Sequence, residues 1–491
     1  MQLCNVGHGF DYETEKVARI FLPYEKINII HGYMPGDNTA LCALERKGET
    51  LYARAEVCLA GKKETFTERV ADTENGKKSE LAVARCLYNC LSAVTGYKSS
   101  WGILTGIRPA KLFSALADSS GVTAAKDIFK NDYLCEAGKT DLCLKCAESE
   151  KKITGLNTPA SFSLYVSVPF CPSRCSYCSF VSHSVEQAKG IIPDYLRLLK
   201  KELMFTGEIA KRLGLRLETV YIGGGTPTSV KAEQLNELLS SVRENFDFSS
   251  VREFTVEAGR PDTVDREKLG VIKSAGATRI SINPQSMDDA VLKNIGRRHT
   301  SKQMTEAFYL AREAGFDNIN TDLIAGLDGD TFEGFKDSIK RILALSPESV
   351  TVHSLSVKRA SNITRRGEMP DESTGCIAGK MVDFARETLQ KSGLLPYYMY
   401  RQSKTVGNLE NVGYAKPGFE GLYNVYIMDE THTVLACGAS AVTKLKEPRG
   451  NNIERIFNFK YPYEYINRFS EIISRKEGIE DYYGKYPVFD K

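Results

Sequence analysis

From about residue 160, the chain alternates between short apolar, β-branched runs and longer stretches with helical periodicity. Each apolar run predicts a β-strand, and a turn or Gly-rich loop separates it from the next helix. Strands that are apolar along their length, each followed by a helix, are typical of a parallel sheet covered on both faces. The predicted strands are Leu164–Val168, Thr219–Ile222, Glu253–Val256, Arg279–Ile282, Ile319–Ile324 and Ser349–Leu355, and the predicted helices lie at about 185–213, 231–246, 263–275, 301–314, 331–345 and 374–392.

Six strand–helix units predict an α/β fold with an open, partial (β/α)6 barrel, because a closed eight-fold barrel would need two more units. This barrel core spans residues 158–393. In such a sheet, functional residues are expected at the carboxyl ends of the strands, where the connecting loops lie side by side.

Two further segments flank the predicted barrel. Residues 1–157 predict an N-terminal α+β module, because strand and turn signals occupy 1–72 and helical periodicity follows at 78–97 and 109–155. Residues 394–491 are rich in Tyr, Asn and Gly and predict a C-terminal subdomain with antiparallel strands and one helix. Since no low-complexity linker separates the parts, we expect them to pack together and the N-terminal module to cap the open barrel.

The composition narrows the class of protein. The 491 residues are 42% hydrophobic and 26% charged, which excludes a disordered chain. The net charge of +3 is too small to indicate a nucleic-acid partner. Apolar runs are far shorter than the roughly 20 residues of a membrane span, and residues 1–15 lack the basic and apolar regions of a signal peptide. We therefore expect a cytoplasmic monomer without a membrane span, whose 13 cysteines are thiols or metal ligands rather than disulfides.

Three cysteines, Cys171, Cys175 and Cys178, form a CxxxCxxC segment directly after the first predicted strand. Thiolates at this spacing on one loop can all face one ion or cluster. A zinc site would need a fourth protein ligand, whereas three thiolates suit a [4Fe–4S] cluster with one open iron position. Such an open iron can bind and activate a small molecule. The alternative is three small residues buried in a loop, and the spacing favours the cluster.

This segment resembles that of the radical S-adenosylmethionine (SAM) superfamily, whose fold is also a six-unit partial barrel. The resemblance implies a [4Fe–4S] cluster whose open iron is chelated by the amino and carboxylate groups of SAM. An electron from the cluster then cleaves SAM into methionine and a 5′-deoxyadenosyl radical, which abstracts hydrogen from a substrate.

Polar residues near the ends of the later strands offer partners for SAM. The Gly223-Gly-Gly-Thr-Pro-Thr loop follows the second strand and lets the backbone approach an ammonium group, although a tight turn explains such glycines equally well. Glu257 ends the third strand, where a carboxylate can accept from both ribose hydroxyls. Arg297, twelve residues after Gln285, can pair bidentately with the methionine carboxylate. Asp322 lies in an otherwise apolar strand and needs a polar partner.

Together, the motifs are similar to those of the oxygen-independent coproporphyrinogen III oxidase family over about residues 160–445. The matching segments are Tyr165-Val-Ser-Val-Pro-Phe-Cys171, the GGGTPT loop, the Gln285-to-Arg297 spacing and Asp322-Leu-Ile-Ala-Gly-Leu. In this family the aromatic residue between the last two cysteines contacts adenine. The resemblance implies that the three cysteines hold the cluster and that SAM contacts Tyr165, Tyr177, Gly224, Gly225, Thr226, Glu257, Gln285, Arg297, Asp322 and Ser356.

The implied reaction is the oxidative decarboxylation of two propionates of coproporphyrinogen III to vinyl groups, which gives protoporphyrinogen IX. It requires an external electron donor and acceptor, and no catalytic residue beyond the cluster-bound SAM is implied. A tetracarboxylate substrate should meet basic side chains, although a solvated basic loop is the alternative. The candidates are Lys358, Arg359, Arg365 and Arg366 beyond the sixth strand, followed by Arg108 and Lys111 of the N-terminal module.

Two positions depart from the family pattern. Phe180 stands where well-studied members carry a fourth cysteine, and Ser167 stands where they carry a histidine. Both departures resemble the heme-chaperone relatives, which bind heme and need not catalyse the decarboxylation. A heme carrier and another tetrapyrrole-directed radical SAM enzyme are therefore the alternative functions.

The remaining cysteines are interpreted mainly as core residues. Cys135, Cys143 and Cys146 invite a second metal site, but they recur with Leu on one face of a predicted helix. Cys86 and Cys90 have i, i+4 spacing on another apolar helix.

Overall fold

The computed structural model describes residues 1–70, 76–178, 183–357, 372–402 and 404–489. Its contacts group the chain into two compact units. One comprises Met1–Ala147 with Tyr400–Glu410, and the other comprises Glu148–Met399 with Asn411–Lys491. The division into three consecutive segments at 1–157, 158–393 and 394–491 stays a prediction.

The first unit is built on a five-stranded sheet with the order β2-β1-β3-β4-β5. β1 pairs in parallel with β2 and β3, and β3, β4 and β5 form antiparallel hairpins. The strand signals of this region are confirmed, whereas the short, charge-rich helix α1 was not predicted. The elements are β1 (Gln2–Val6), α1 (Asp11–Phe21), β2 (Asn28–His31), β3 (Thr39–Lys47), β4 (Thr50–Leu59), β5 (Lys62–Arg69) and α2 (Gly76–Thr95).

Helix α2 supplies much of the core of this sheet. Cys86 and Cys90 are buried on its apolar face, and their thiols donate to the backbone carbonyls of Ala53 (3.5 Å) and Ala55 (3.3 Å) on β4. Burial raises the pKa of both thiols to about 12, so they stay protonated. The interpretation of these two cysteines as core residues is confirmed.

The predicted helical stretch after α2 is also confirmed. Trp101, which precedes it, is fully buried, and its Nε1 donates to Glu410 Oε2 at 2.7 Å. Lys139 donates to the other oxygen of the same carboxylate at 2.7 Å. Cys135, Cys143 and Cys146 are buried. The elements are α3 (Pro109–Ser120), α4 (Val122–Asp127), a π-helical turn (Ile128–Asp132) and α5 (Ala137–Thr154).

The second unit contains the six predicted parallel strands. They are adjacent in the order β13-β12-β11-β10-β9-β6, and each neighbouring pair is parallel. The apolar runs predicted them correctly because these strands are buried on both faces. The strands are β6 (Ser161–Val168), β9 (Arg216–Gly224), β10 (Glu253–Glu257), β11 (Arg279–Ser281), β12 (Ile319–Ala325) and β13 (Ser349–Ser354); β7 (Phe170–Cys171) and β8 (His183–Ser184) form a separate pair.

Helices connect these strands as predicted. Several begin with a side-chain cap, as where Thr300 accepts from the backbone of Gln303 and Asp265 accepts from that of Lys268. The helices are α6 (Val185–Ala188), α7 (Ile192–Arg212), α8 (Ala232–Asn245), α9 (Arg266–Ser274), α10 (Asp289–Asn294), α11 (Ser301–Glu313), α12 (Phe332–Ala344) and α13 (Glu372–Lys391).

The C-terminal elements extend this sheet at both ends. β15 pairs antiparallel with β13, and β16 pairs in parallel with β6, so the described part of the chain forms a sheet of eleven strands. The prediction of antiparallel strands holds in part, but β16 joins the parallel sheet because its five residues are all buried. Three helices replace the one predicted. The elements are β14 (Leu395–Arg401), β15 (Glu410–Ala415), α14 (Leu422–Asp429), β16 (Thr433–Cys437), β17 (Val442–Lys446), β18 (Ile453–Phe457), α15 (Pro462–Asn467) and α16 (Phe469–Lys485).

The α/β class is therefore confirmed. The six parallel strands form an open array, because its outer strands β6 and β13 pair with β16 and β15 instead of with each other. Among the described residues, no helix has the length and apolar content that crossing a membrane requires.

Candidate functional site

The register of the parallel strands brings the predicted site residues to one edge of the sheet. Gly224 ends β9 and Glu257 ends β10. Glu257 is paired with Ser281 on β11, and Ser281 is paired with Asn320, two residues before Asp322 on β12. Polar groups from several consecutive strands thus lie along the carboxyl edge, as predicted.

The cysteine loop begins at this edge. Cys171 lies in β7, directly after β6, and Cys175 is buried while Cys171 and Cys178 are half-buried. The Thr226 hydroxyl lies 3.5 Å from the Cys171 Sγ. The other side of the loop is held by the end of α10, where Ser176 N–H donates to the Ile295 carbonyl at 3.0 Å.

The Gly-rich loop packs directly against the start of the cysteine loop. Gly225 N–H donates to the Val168 carbonyl (2.8 Å), and Thr226 N–H donates to the Phe170 carbonyl (2.7 Å). A Cβ at Gly225 would lie 2.6 Å from the Phe170 carbonyl oxygen, so a side chain there would force the two segments apart. These glycines therefore position the cysteine loop, and their contact with SAM stays a prediction.

Glu257 is the most perturbed carboxyl of the edge. Burial raises its pKa to about 7, although a hydrogen bond from Tyr221 acts in the opposite direction. The Tyr221 hydroxyl donates to Glu257 Oε1 at 2.5 Å. Gly223 lies two residues after Tyr221, on the same face of β9. A Cβ at Gly223 would lie only 3.1 Å from the Glu257 carboxyl carbon, so there is little room for a side chain.

Three tyrosine rings stack beside Glu257. The ring centroids of Tyr221 and Tyr423 are 4.5 Å apart with an interplanar angle of 23°. Tyr165, the residue expected beside SAM, has its centroid 6.3 Å from that of Tyr221 and 6.2 Å from that of Tyr423. Tyr221 and Tyr423 were missed in the sequence analysis. The alternation along β9 places Tyr221 on the face of Gly223, but no local signal places Tyr423 there.

Asp322 has the polar partners that its position in an apolar strand requires. Asn320 Nδ2 donates to Asp322 Oδ1 at 2.8 Å, and His353 Nε2 lies 3.7 Å from Oδ2. Burial alone would raise the pKa of Asp322, but the hydrogen bond and charge of His353, with Asn320, lower it. Asp322 is therefore an ionised acceptor at neutral pH. His353 was not predicted to lie beside Asp322.

Gln285 has a backbone conformation that is unusual for a residue with a side chain. Its φ is +71°, and two hydrogen bonds with β12 hold it there, from Gln285 N–H to the Asp322 carbonyl (2.9 Å) and from Ile324 N–H to the Gln285 carbonyl (3.0 Å). Its buried side-chain Oε1 has no hydrogen-bond partner among the described residues. A strained residue with an unsatisfied buried acceptor is typical of a ligand site.

Arg297 lies behind the cysteine loop. Its guanidinium donates to the backbone carbonyls of Gly259 and Asn283 and faces the Tyr177 and Cys175 side chains. Its Nε is buried, and no described residue offers it a hydrogen-bond acceptor. Burial raises the pKa of Tyr177, and the Arg297 charge lowers it.

A second buried arginine, Arg260, also reaches the loop. Its Nη1 lies 4.0 Å from the Cys175 Sγ and donates to the Ser173 hydroxyl at 3.1 Å. Arg260 was not predicted, because its position in the turn Ala258-Gly-Arg-Pro-Asp gives no indication of which way the side chain points.

The remaining predicted residues are less informative. Ser356 is half-buried just beyond β13. In the first unit, Arg108 is half-buried before α3 and Lys111 is exposed on α3. Five positions named in the sequence analysis lie outside the described residues: Phe180, Lys358, Arg359, Arg365 and Arg366.

The side chains around the cysteine loop have the chemistry of an iron–sulfur site. Within residues 1–70, 76–178, 183–357, 372–402 and 404–489, no three His, Cys, Asp or Glu side chains are close enough together to hold one metal ion. The loop nevertheless supplies three thiols, and hydrogen-bond donors from Thr226 and Arg260 approach two of their sulfurs. At the same edge, Gln285 Oε1 supplies a buried acceptor that bonds to no other group in the described part of the chain. These features suit an iron–sulfur cluster with an adjacent polar ligand.

Comparisons with known proteins agree with this chemistry. The Radical SAM superfamily profile matches residues 165–342. The chain is 36% identical, over 94% of both proteins, to the oxygen-independent coproporphyrinogen-III oxidase-like protein HemZ of Bacillus subtilis. It is 34% identical to the heme chaperone HemW of the same organism, over 56% of this chain and 70% of HemW.

A solved structure agrees with the fold. Coproporphyrinogen III oxidase (HemN) from Escherichia coli matches 66% of this chain and 72% of its own with a TM-score of 0.52 and 22% identity. The chain therefore belongs to the radical SAM superfamily, whose cofactors are a [4Fe–4S] cluster and SAM, and within it to the oxygen-independent coproporphyrinogen III oxidase-like family that includes HemZ.

Proposed function

We propose that this chain is a radical SAM coproporphyrinogen III dehydrogenase that converts two propionates of its substrate into vinyl groups. The observation that carries the proposal is the 36% identity to a coproporphyrinogen-III oxidase-like protein over 94% of both chains, because it includes the N-terminal module as well as the barrel. The polar carboxyl edge described above supplies groups of the right chemistry for SAM.

In this proposal, Cys171, Cys175 and Cys178 hold the cluster. When both cofactors are bound, reductive cleavage of SAM supplies the deoxyadenosyl radical that takes hydrogen from the propionate β-carbon. The substrate then loses CO₂ and one electron, which an external acceptor receives.

The protein orients SAM from several strands. Glu257 accepts from the ribose hydroxyls, and Asp322 and Gln285 offer further acceptors. Arg297 offers donors, and Tyr165 and Tyr177 provide ring surfaces, the latter toward adenine. The glycine loop, with Gly224, Gly225 and Thr226, fixes the cysteine loop and the SAM ammonium, and Ser356 completes the set.

A heme chaperone is the second candidate. It is favoured by the similarity to proteins named heme chaperone HemW and by Ser167 at the end of β6. The two functions differ in what happens to a tetrapyrrole, because a chaperone retains heme without altering it.

One experiment separates these functions. The protein is reconstituted anaerobically with iron and sulfide and incubated with dithionite, SAM, an electron acceptor and coproporphyrinogen III. We expect a product lighter by two CO₂ molecules and four hydrogens, together with 5′-deoxyadenosine. SAM cleavage with unchanged substrate would contradict the dehydrogenase, and stable heme binding by the same preparation would then favour the chaperone. A methylated or ring-opened product would indicate another tetrapyrrole enzyme.

A further inference from the structure

Arg260 approaches the central cysteine of the loop from the turn after β10. The Arg260 side chain is almost fully buried, with 2% exposure. Its Nη1 lies 4.0 Å from the Cys175 Sγ and contacts both the hydroxyl (3.1 Å) and the carbonyl (3.3 Å) of Ser173. One guanidinium nitrogen therefore contacts three atoms of the loop, and one of these atoms is a predicted ligand sulfur.

Asp262 fixes the opposite side of this guanidinium. Arg260 Nε and Nη2 donate to the two Asp262 oxygens, each at 3.0 Å. Burial would raise the pKa of Asp262, but the hydrogen bonds and charge of Arg260 lower it, so the carboxylate is ionised at neutral pH. A bidentate pair of this kind has little rotational freedom. Its positive end points toward Cys175 and its negative end points away.

Two further side chains near Cys175, those of Arg297 and His299, affect the charge around its sulfur. Arg297 also faces the Cys175 side chain. His299 is buried beside both arginines, and burial together with their charges lowers its pKa to about 3. His299 is therefore neutral at pH 7, whereas Arg260 and Arg297 bring positive charge to Cys175 and Asp262 pairs with Arg260.

We propose that Arg260 is a positioning residue that raises the reduction potential of the [4Fe–4S] cluster by holding a positive charge and an N–H donor at Cys175. This inference rests on the proposed ligation of the cluster by Cys171, Cys175 and Cys178. Reduction adds one negative charge to the cluster, and a nearby fixed cation stabilises the reduced form. Burial strengthens the effect because the interaction is weakly screened. Asp262 opposes it by partly compensating the same cation.

The two partners of the ion pair should therefore shift the potential in opposite directions. The test is an anaerobic dithionite titration of the full-length, reconstituted, SAM-free protein, followed by electron paramagnetic resonance. Arg260→Gln should give a more negative midpoint potential than the wild type, and Arg260→Lys should recover part of the difference. Asp262→Asn should give a more positive midpoint. The exposed neighbour Arg298, changed to Gln, is the control for net charge and should leave the midpoint unchanged.

If Arg260 and Asp262 had a merely structural role, the midpoint potential would shift in the same direction in both variants. That result would overturn the inference, and so would an unchanged midpoint potential in both variants. If Arg260→Gln does not retain a cluster, the midpoint potential of Asp262→Asn becomes the test. A midpoint at or below that of the wild type would then overturn the inference. Iron and sulfide are measured in every sample. A wild type that assembles no cluster would contradict the proposed function itself, which distinguishes the two failures.

Discussion

Glu253 and Glu257 lie four residues apart on the same strand and on the same face of the sheet, yet their surroundings differ. Glu253 is buried at the amino end of β10, and its carboxylate accepts from Leu422 N–H (2.6 Å), Tyr423 N–H (3.3 Å) and the Thr255 hydroxyl (3.1 Å). It therefore caps helix α14, whose N-terminal N–H groups have no partners within the helix.

Glu257, at the carboxyl end, accepts one hydrogen bond, from Tyr221, among the contacts described for it. Asp322 is close enough to raise its pKa further. The Glu253 carboxylate thus has its acceptor capacity filled by protein groups, whereas the Glu257 carboxylate keeps acceptor capacity for a ligand. The comparison separates a carboxylate that the protein itself uses from one that we propose for SAM binding.

The largest effect is expected at Glu253. Glu253→Ala leaves two helix N–H groups and one hydroxyl without their acceptor, so the free energy of unfolding should fall by about 3 kcal/mol. Chemical denaturation of the cluster-free protein measures it. Glu257→Ala in the same preparation is the matched control and should cost far less. Equal losses in the two variants would remove the distinction between them.

Glu257→Gln should weaken SAM binding instead of stability. Replacing the carboxylate removes a charged acceptor for the ribose hydroxyls, so the affinity for SAM should fall by about 10- to 100-fold. The free energy of unfolding should not fall at neutral pH, because glutamine avoids the cost of burying a carboxylate. Equilibrium dialysis with labelled SAM and the reconstituted protein provides the measurement. Undiminished affinity would show that Glu257 does not contact SAM.

The raised pKa of Glu257 predicts a pH dependence of stability. A carboxyl whose pKa rises from 4.5 to about 7 on folding favours the folded state when it is protonated. This contribution is fully present below about pH 4.5 and is lost as the pH rises to about 7. The wild type should therefore lose stability relative to Glu257→Gln across this interval and not above it. Parallel denaturation curves test this, and a constant difference would refute it.

Tyr221→Phe should produce the smallest effect. The Tyr221 hydroxyl lowers the pKa of Glu257 in the folded state, so its removal should extend the upper end of the pH-dependent interval of stability to higher pH. Tyr423→Phe keeps the ring stack and the Tyr221–Glu257 hydrogen bond, and it should leave the interval in place. The charged or titratable groups that face Glu257 are Tyr221, Asp322, His353, Tyr165 and Tyr423.

The sequence predicted the barrel strands and the edge well, because both follow from short-range patterns. Parallel core strands are apolar throughout, and chain order determines that Gly224, Glu257 and Asp322 meet at the carboxyl ends. Contacts between distant segments leave no such pattern. Tyr423 reaches the stack through α14, and Arg260 reaches Cys175 through a turn. Glu257 could be assigned from its place at the carboxyl end of β10, but the Leu422 and Tyr423 N–H groups that Glu253 caps lie far along the chain.

The central claim is that Cys171, Cys175 and Cys178 leave one iron open to SAM. Electron paramagnetic resonance of the reduced, anaerobically reconstituted protein, with and without SAM, tests it most directly. We predict iron and sulfide equivalent to one [4Fe–4S] cluster, a spectrum that changes when SAM is added, and loss of the cluster in Cys175→Ala but not in the exposed-cysteine control Cys376→Ala. Bound zinc, or a cluster that survives Cys175→Ala, would contradict the account.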